Sequence, residues 1–138
     1  MSKIALGTVQ FGIDYGINSE NGQVQPEEVR SILNYAHSQN IDLLDTAPAY
    51  GNSEKVLGVA NVQNFKVVTK TRHFNNAKIS NSDIGLLKKD FSCSLTDLRQ
   101  ESFYGVLVHN ASDLLKSGAE KLYDHLQELK QAEKIEKI

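Results

Sequence analysis

Four times along this chain a short apolar run gives way to a longer stretch with apolar residues at helical spacing, and few folds accept that alternation. Lys3 to Leu6 reads as the first strand. The helix after it is announced by Pro26 at a first-turn position with Glu27 and Glu28 behind it, and Val29, Ile32, Leu33 and Ala36 share one face. Asn40 can close this helix in the left-handed conformation, and Ile41 to Leu44 then reads as the second strand. Ser53 is placed to cap a short helix through about Ala60, and Phe65 to Thr69 is β-branched and aromatic enough for a third strand ending at Lys70. Beyond a polar loop from Thr71 to Asn81, the spacing of Ile84, Leu87, Phe91, Leu95 and Leu98 predicts a third amphipathic helix. Phe103 to Val108 is a nearly unbroken apolar run, suited to a strand buried on both faces, and it ends at His109. Ser117 with Glu120 makes a capping box for a fourth helix striped by Leu122, Leu126 and Leu129. Ile135 and Ile138 read as the entry to a fifth strand that is not completed.

Strands that alternate with helices imply a parallel sheet with helical crossovers. Two closures fit: an open doubly wound sheet, or half of an eight-stranded barrel. No linker or low-complexity segment divides the chain, so one domain is expected. The segment Gly7-Thr8-Val9-Gln10-Phe11-Gly12 has two glycines that let backbone pass close to a ligand or another segment. It is not a dinucleotide-binding fingerprint, which opens directly into a helix, whereas Gly16, Asn18 and Asn21-Gly22 keep this chain in loops and turns. Gly105, inside a strand, marks close packing.

The formal net charge of −2, with no clustered Lys/Arg run, argues against nucleic-acid or anionic-membrane binding. No window approaches the roughly 20 apolar residues of a spanning helix, and the first residues hold no long apolar leader, so a cytoplasmic protein is expected. The single cysteine, Cys93, is expected to be a buried or half-buried inert thiol on a helix.

The polar residues add chemistry to this frame. Asp45 follows the second strand, Lys70 the third and His109 the fourth, while Tyr50 lies in the loop after Asp45. In either parallel architecture ligands bind at the carboxyl ends of the strands, so these four should meet there. A phenol, with an ordinary pKa near ~10, is a poor acid or base at neutral pH unless a cation favours its ionised form, and Lys70 could supply that charge. Asp45 would keep Lys70 charged and oriented, and His109 could hold a substrate oxygen or pass a proton. No strong metal-ligand spacing is present and no metal is required. Singly, each residue also has a plain structural reading: a turn cap, a packing tyrosine, a solvated lysine, a loop histidine. Complementary groups at the ends of three successive strands favour the functional one. His37, His73 and His125 read as ordinary polar positions.

The segments Leu6 to Gly12, Asp45 to Glu54, Val67 to Lys70 and Leu107 to His109 resemble, in order and spacing, the aldo/keto reductase family. The resemblance implies a TIM-type (β/α)8 barrel, of which this chain would supply the first four β-α units as a parallel half-barrel. Residues 1–138 would then be a single truncated domain ending at the start of strand five. It also implies reduction of aldehydes or ketones with NADPH, NADH being the alternative, and no metal. By the same resemblance Tyr50 would be the general acid, Lys70 the cation that eases its ionisation, Asp45 the partner of Lys70 and His109 the residue orienting substrate. Gly7, Thr8 and Asp45 would lie near the nicotinamide. Asn40 and Glu133 stand where the family usually has glycine.

Such a barrel typically runs to ~250 residues, and the family's main pyrophosphate- and adenosine-binding segments belong to its second half. Strands one and four are expected to lack outer neighbours, and exposed edges and apolar faces promote association. The isolated half-barrel is therefore expected to be weakly active or inactive, and to dimerise, be completed by a partner, or be a truncated product. The second class of function is a non-catalytic assembly or binding protein that retains the four residues by descent.

Overall fold

In the computed structural model of the protein, which describes residues 4–16 and 22–138, five parallel strands lie side by side in chain order. They are β1 (Leu6–Gly7), β2 (Leu43–Asp45), β3 (Lys66–Lys70), β4 (Phe103–Leu107) and β5 (Ile135–Lys137). One row of register runs from Gly7 through Asp45, Val68 and Gly105 to Lys137. A doubly wound sheet reverses its strand order near the middle. Here β1 sits at an edge beside β2 alone, and the unbroken sequential order is that of a partial (β/α) barrel. The expected start of the first strand at Lys3, and the turn residues Asn18 and Asn21, fall outside the described residues.

The fifth strand, expected only as an entry, does form, pairing Phe103 with Ile135 and Gly105 with Lys137. The free edges are thus β1 and β5, not β1 and β4. A Cβ on Gly105 would lie 3.4 Å from the Lys137 carbonyl, consistent with the close packing expected there.

The crossovers are helical: α1 (Val9–Gly12), α2 (Pro26–Ser38), α3 (Ser53–Ala60), α4 (Asn81–Leu98) and α5 (Ala119–Gln131), with a 3₁₀ turn at Ala111–Leu115. Pro26 opens α2, where its missing N–H costs nothing, and Asn40 follows with φ +58°. Two expected caps are not used. Asn52, not Ser53, precedes α3, and the Ser53 hydroxyl is turned inward to the Thr8 carbonyl. Gly118 (φ +85°), not Ser117, precedes α5, because that position packs on the Ile79 carbonyl, 2.1 Å from where a Cβ would stand. The reciprocal capping box belongs instead to Ser80 and Asp83 at the start of α4.

The core lies between the sheet and its helices. Leu44, Val67, Phe103 and Val106 of the strands meet Val29 and Leu33 of α2, Leu57 of α3, Leu87, Phe91 and Leu98 of α4, and Leu122 and Leu126 of α5. Phe91 meets Phe103 edge-on with centroids 5.4 Å apart. Burial of each such side chain contributes about 1.5–3 kcal/mol, which explains why the helical stripes, rather than helix propensity, decide the packing. Leu107 remains 47% exposed, so β4 is not buried on both faces as its composition suggested. Cys93 is exposed, correcting the expected buried thiol: it lies off the stripe that α4 turns to the core. Among the described residues no helix is long and apolar enough to cross a membrane.

Candidate active site

The loop after β2 is fixed from below before any reactive group is placed. Thr8 and Asp45 are joined twice, since both the backbone N–H and the hydroxyl of Thr8 donate to the Asp45 carbonyl at 3.0 Å. The Ser53 hydroxyl lies 2.9 Å from the Thr8 carbonyl and 3.0 Å from its Oγ1. Thr8, Thr46 and Ser53 are wholly buried, so these hydroxyls form an internal brace. The Gly12 backbone then packs directly on the Tyr50 carbonyl, which a Cβ at Gly12 would approach to 1.7 Å. Only glycine allows that contact.

On this base, Asp45 ends β2 and Lys70 ends β3. The Lys70 Nζ donates to Asp45 Oδ1 at 2.6 Å and to the Thr46 carbonyl at 3.1 Å. Its side chain is 12% exposed, so the pair is little screened on the lysine side. The same Nζ stands 4.8 Å from the centroid of the Tyr50 ring. Tyr50 in turn meets His109 edge-on, with centroids 6.0 Å apart. The four residues singled out in the sequence are therefore brought together at the carboxyl end of the sheet.

His109 is half-buried, and its backbone N–H donates to Thr71 Oγ1 at 3.1 Å. Burial is the main cause that pushes its imidazole below the ordinary histidine pKa. The charges of His73 and Lys70 push the same way, against the charge of Asp45 and the contact of the ring with the Thr71 backbone. The ring is thus neutral at neutral pH. Its Nδ1 is buried without a hydrogen-bond partner. A buried Nδ1 cannot reach a ligand, so Nε2 is the ring atom able to donate to one.

Tyr50 and His109 line an open cleft of about 330 Å³ with Val9, Ile13, Tyr15, Ala49 and His73. Gly7 lies exposed at the end of β1 beside Asp45, with nothing within 4 Å of where a Cβ would be, which leaves a flat floor. Thr8, by contrast, has committed its hydroxyl to the brace.

Two residues of this region were not singled out in the sequence. His73, three residues beyond Lys70, stacks on His109; its place in the loop after a strand was the available signal. Glu54 is 6% exposed and accepts hydrogen bonds from Thr69 (2.6 Å) and Ser94 (2.7 Å), tying α3 to β3 and α4. Burial raises its pKa, and these two bonds oppose the rise. A larger groove of about 570 Å³, lined partly by Lys66, Phe103, Tyr104 and Ile135, runs along the opposite ends of β3, β4 and β5. Parallel barrels place their chemistry at the carboxyl ends, where the smaller cleft lies.

Comparison with known proteins bears on the family and the fold. The model of the Aldo/keto reductase family matches residues 3–138. A solved structure from Pseudomonas aeruginosa, described as an aldo-keto reductase, is 28% identical with a TM-score of 0.75, the match covering 95% of this chain and 52% of that one. An aldo-keto reductase from Bacillus halodurans, in a holo form, is 22% identical with a TM-score of 0.70, covering 98% and 44%. An aldose reductase from Giardia lamblia shares the fold at 15% identity and a TM-score of 0.63, covering 96% and 47%. No curated protein matches the chain. The chain spans about half the length of the solved structures it resembles.

Proposed function

This chain belongs to the aldo/keto reductase family, and from that premise we propose that residues 1–138 are a partial barrel domain carrying the proton-transfer side of an NAD(P)H-dependent carbonyl reductase. The observation that carries the proposal is the chain of contacts from Asp45 through Lys70 and Tyr50 to His109, the last two of which line one cleft.

The open floor at Gly7, beside Asp45, suits a planar nicotinamide ring, with NADPH the form we favour and NADH the alternative. When bound, the reduced nicotinamide supplies a hydride to the carbonyl carbon. The chain's own part is at the oxygen. Tyr50 gives its hydroxyl proton to that oxygen as the C=O π bond breaks, so an aldehyde or ketone leaves as an alcohol and the phenolate takes a proton from water. Lys70 sets its positive charge 4.8 Å from the centre of the Tyr50 ring, and Asp45 holds the ammonium in place. His109 donates from Nε2 to the same oxygen and fixes its direction. Thr8 acts one step back, holding the Asp45 backbone.

The partner we propose is a second (β/α) half, from another copy of this chain or a different protein, that closes over the open face of the sheet. The free strand edges β1 and β5 favour a second reading, a non-catalytic assembly or binding protein that keeps the four residues by descent. Nicotinamide fluorescence separates the two. Saturating protein should quench or shift NADPH emission, and Tyr50→Phe should keep that binding while NADPH consumption with small aldehydes falls by at least about 100-fold. Unperturbed NADPH fluorescence would exclude the reductase reading for the chain alone.

A further inference from the structure

Two imidazoles, not one, form a wall of the cleft. His73 comes from the loop after β3 and His109 from the end of β4, and their rings lie 4.0 Å apart between centroids, tilted by 42°. The two loops are also tied by hydrogen bonds of backbone and side chain. Thr71 receives the His109 N–H, and the Ile79 N–H donates to the Ser117 carbonyl at 2.8 Å. Lys116, ion-paired at 2.7 Å with the fully buried Asp113, donates to the carbonyl of Phe74, the residue after His73. His73 is exposed, yet the chain on either side of it is anchored.

We infer that His73 is a positioning residue for His109, its tilted ring, in close contact, restricting the plane in which His109 presents Nε2–H to a substrate oxygen. The role rests on the cleft being a carbonyl site; the ring contact does not. The groups that face His109 are His73 across the stack, Tyr50 at its edge, and the Lys70–Asp45 pair. Two imidazoles this close do not both charge readily, and the presence of His73 helps hold the His109 pKa down. The cleft thereby keeps a neutral donor aimed at a developing oxyanion, and His73 contributes to that without itself giving up a proton.

NMR titration of the imidazole rings tests this in the whole chain, alongside His73→Phe and His73→Ala. Phenylalanine keeps a ring on the stack and removes its charge. The His109 titration midpoint should then move upward while its ring-current-shifted resonances stay in place. Alanine removes both, so the midpoint should rise and the His109 signals should drift toward random-coil positions. Unchanged His109 shifts and midpoint in both variants would overturn the inference. The His37 and His125 resonances report whether each variant is folded. NADPH binding on the same samples can fail without altering this readout, so the two readings stand or fall separately.

Discussion

Gly12 and Glu54 show how far single residues govern the cleft without lining it. An alanine at Gly12 would drive its Cβ into the Tyr50 carbonyl, and neither backbone segment can give way easily because Gly51, at φ +60°, is packed on the Gly12 carbonyl in turn. Gly12→Ala should lower unfolding stability by about 3 kcal/mol or more, read from urea denaturation. Glu54 and His109 act on stability through pH with opposite sign. The folded state holds the Glu54 proton more tightly than the unfolded chain does. Its penalty therefore grows as pH rises from the ordinary value of 4.5 through the raised folded value. For His109 the unfolded chain binds the proton first, so stability is lost as pH falls from the ordinary 6.5 through the lowered folded value. Glu54→Gln should abolish the first slope and leave the second, in thermal melts across that range. Asp45, Tyr50, Lys70 and His109 were legible because each stands at a strand end or in the loop after one, and register carries such residues to the same rim. His73 and Glu54 were not, since a stack and a buried carboxylate exist only once α3, α4 and two loops are packed.

At the level of elements, long stripes were read correctly and short or capped features less so. α2, α4 and α5 bury most of the residues their spacing indicated and half-bury Ile32, Ile84, Leu95 and Leu129 at the margins, because a stripe of three or more turns has one way to face a sheet. The four-residue α1 and the 3₁₀ turn at Ala111–Leu115 are too short for periodicity to mark. Capping is where local sequence misled. Ser117 with Glu120 has the pattern of a capping box, but the helix begins after Gly118, so the serine side chain has no cap to make. Ser80→Ala should cost about 1 kcal/mol of stability and Ser117→Ala less than about 0.5, compared by equilibrium unfolding. Equal costs would mean that the observed cap on α4 contributes nothing.

At the scale of the whole molecule, the sheet has two free edges, β1 and β5, and Leu107 stands half-exposed in the row that pairs with Lys70. Such edges and apolar positions favour association with a matching half. Light scattering coupled to size-exclusion chromatography should show a dimer or larger species at micromolar concentration, and Leu107→Asp should shift it toward monomer. A cooperative wild-type monomer would count against barrel completion by a second copy. The alternation of apolar runs with helical stripes determined the parallel α/β class, and the strand-end residues determined which four groups would share a rim. Both are periodic or positional properties written along the chain. Only the tertiary structure decided that β5 pairs and takes the second edge from β4, that Thr8 turns its hydroxyl inward and that His73 lies against His109. Those outcomes depend on contacts between segments distant in sequence, whose geometry is settled by packing rather than by any local pattern.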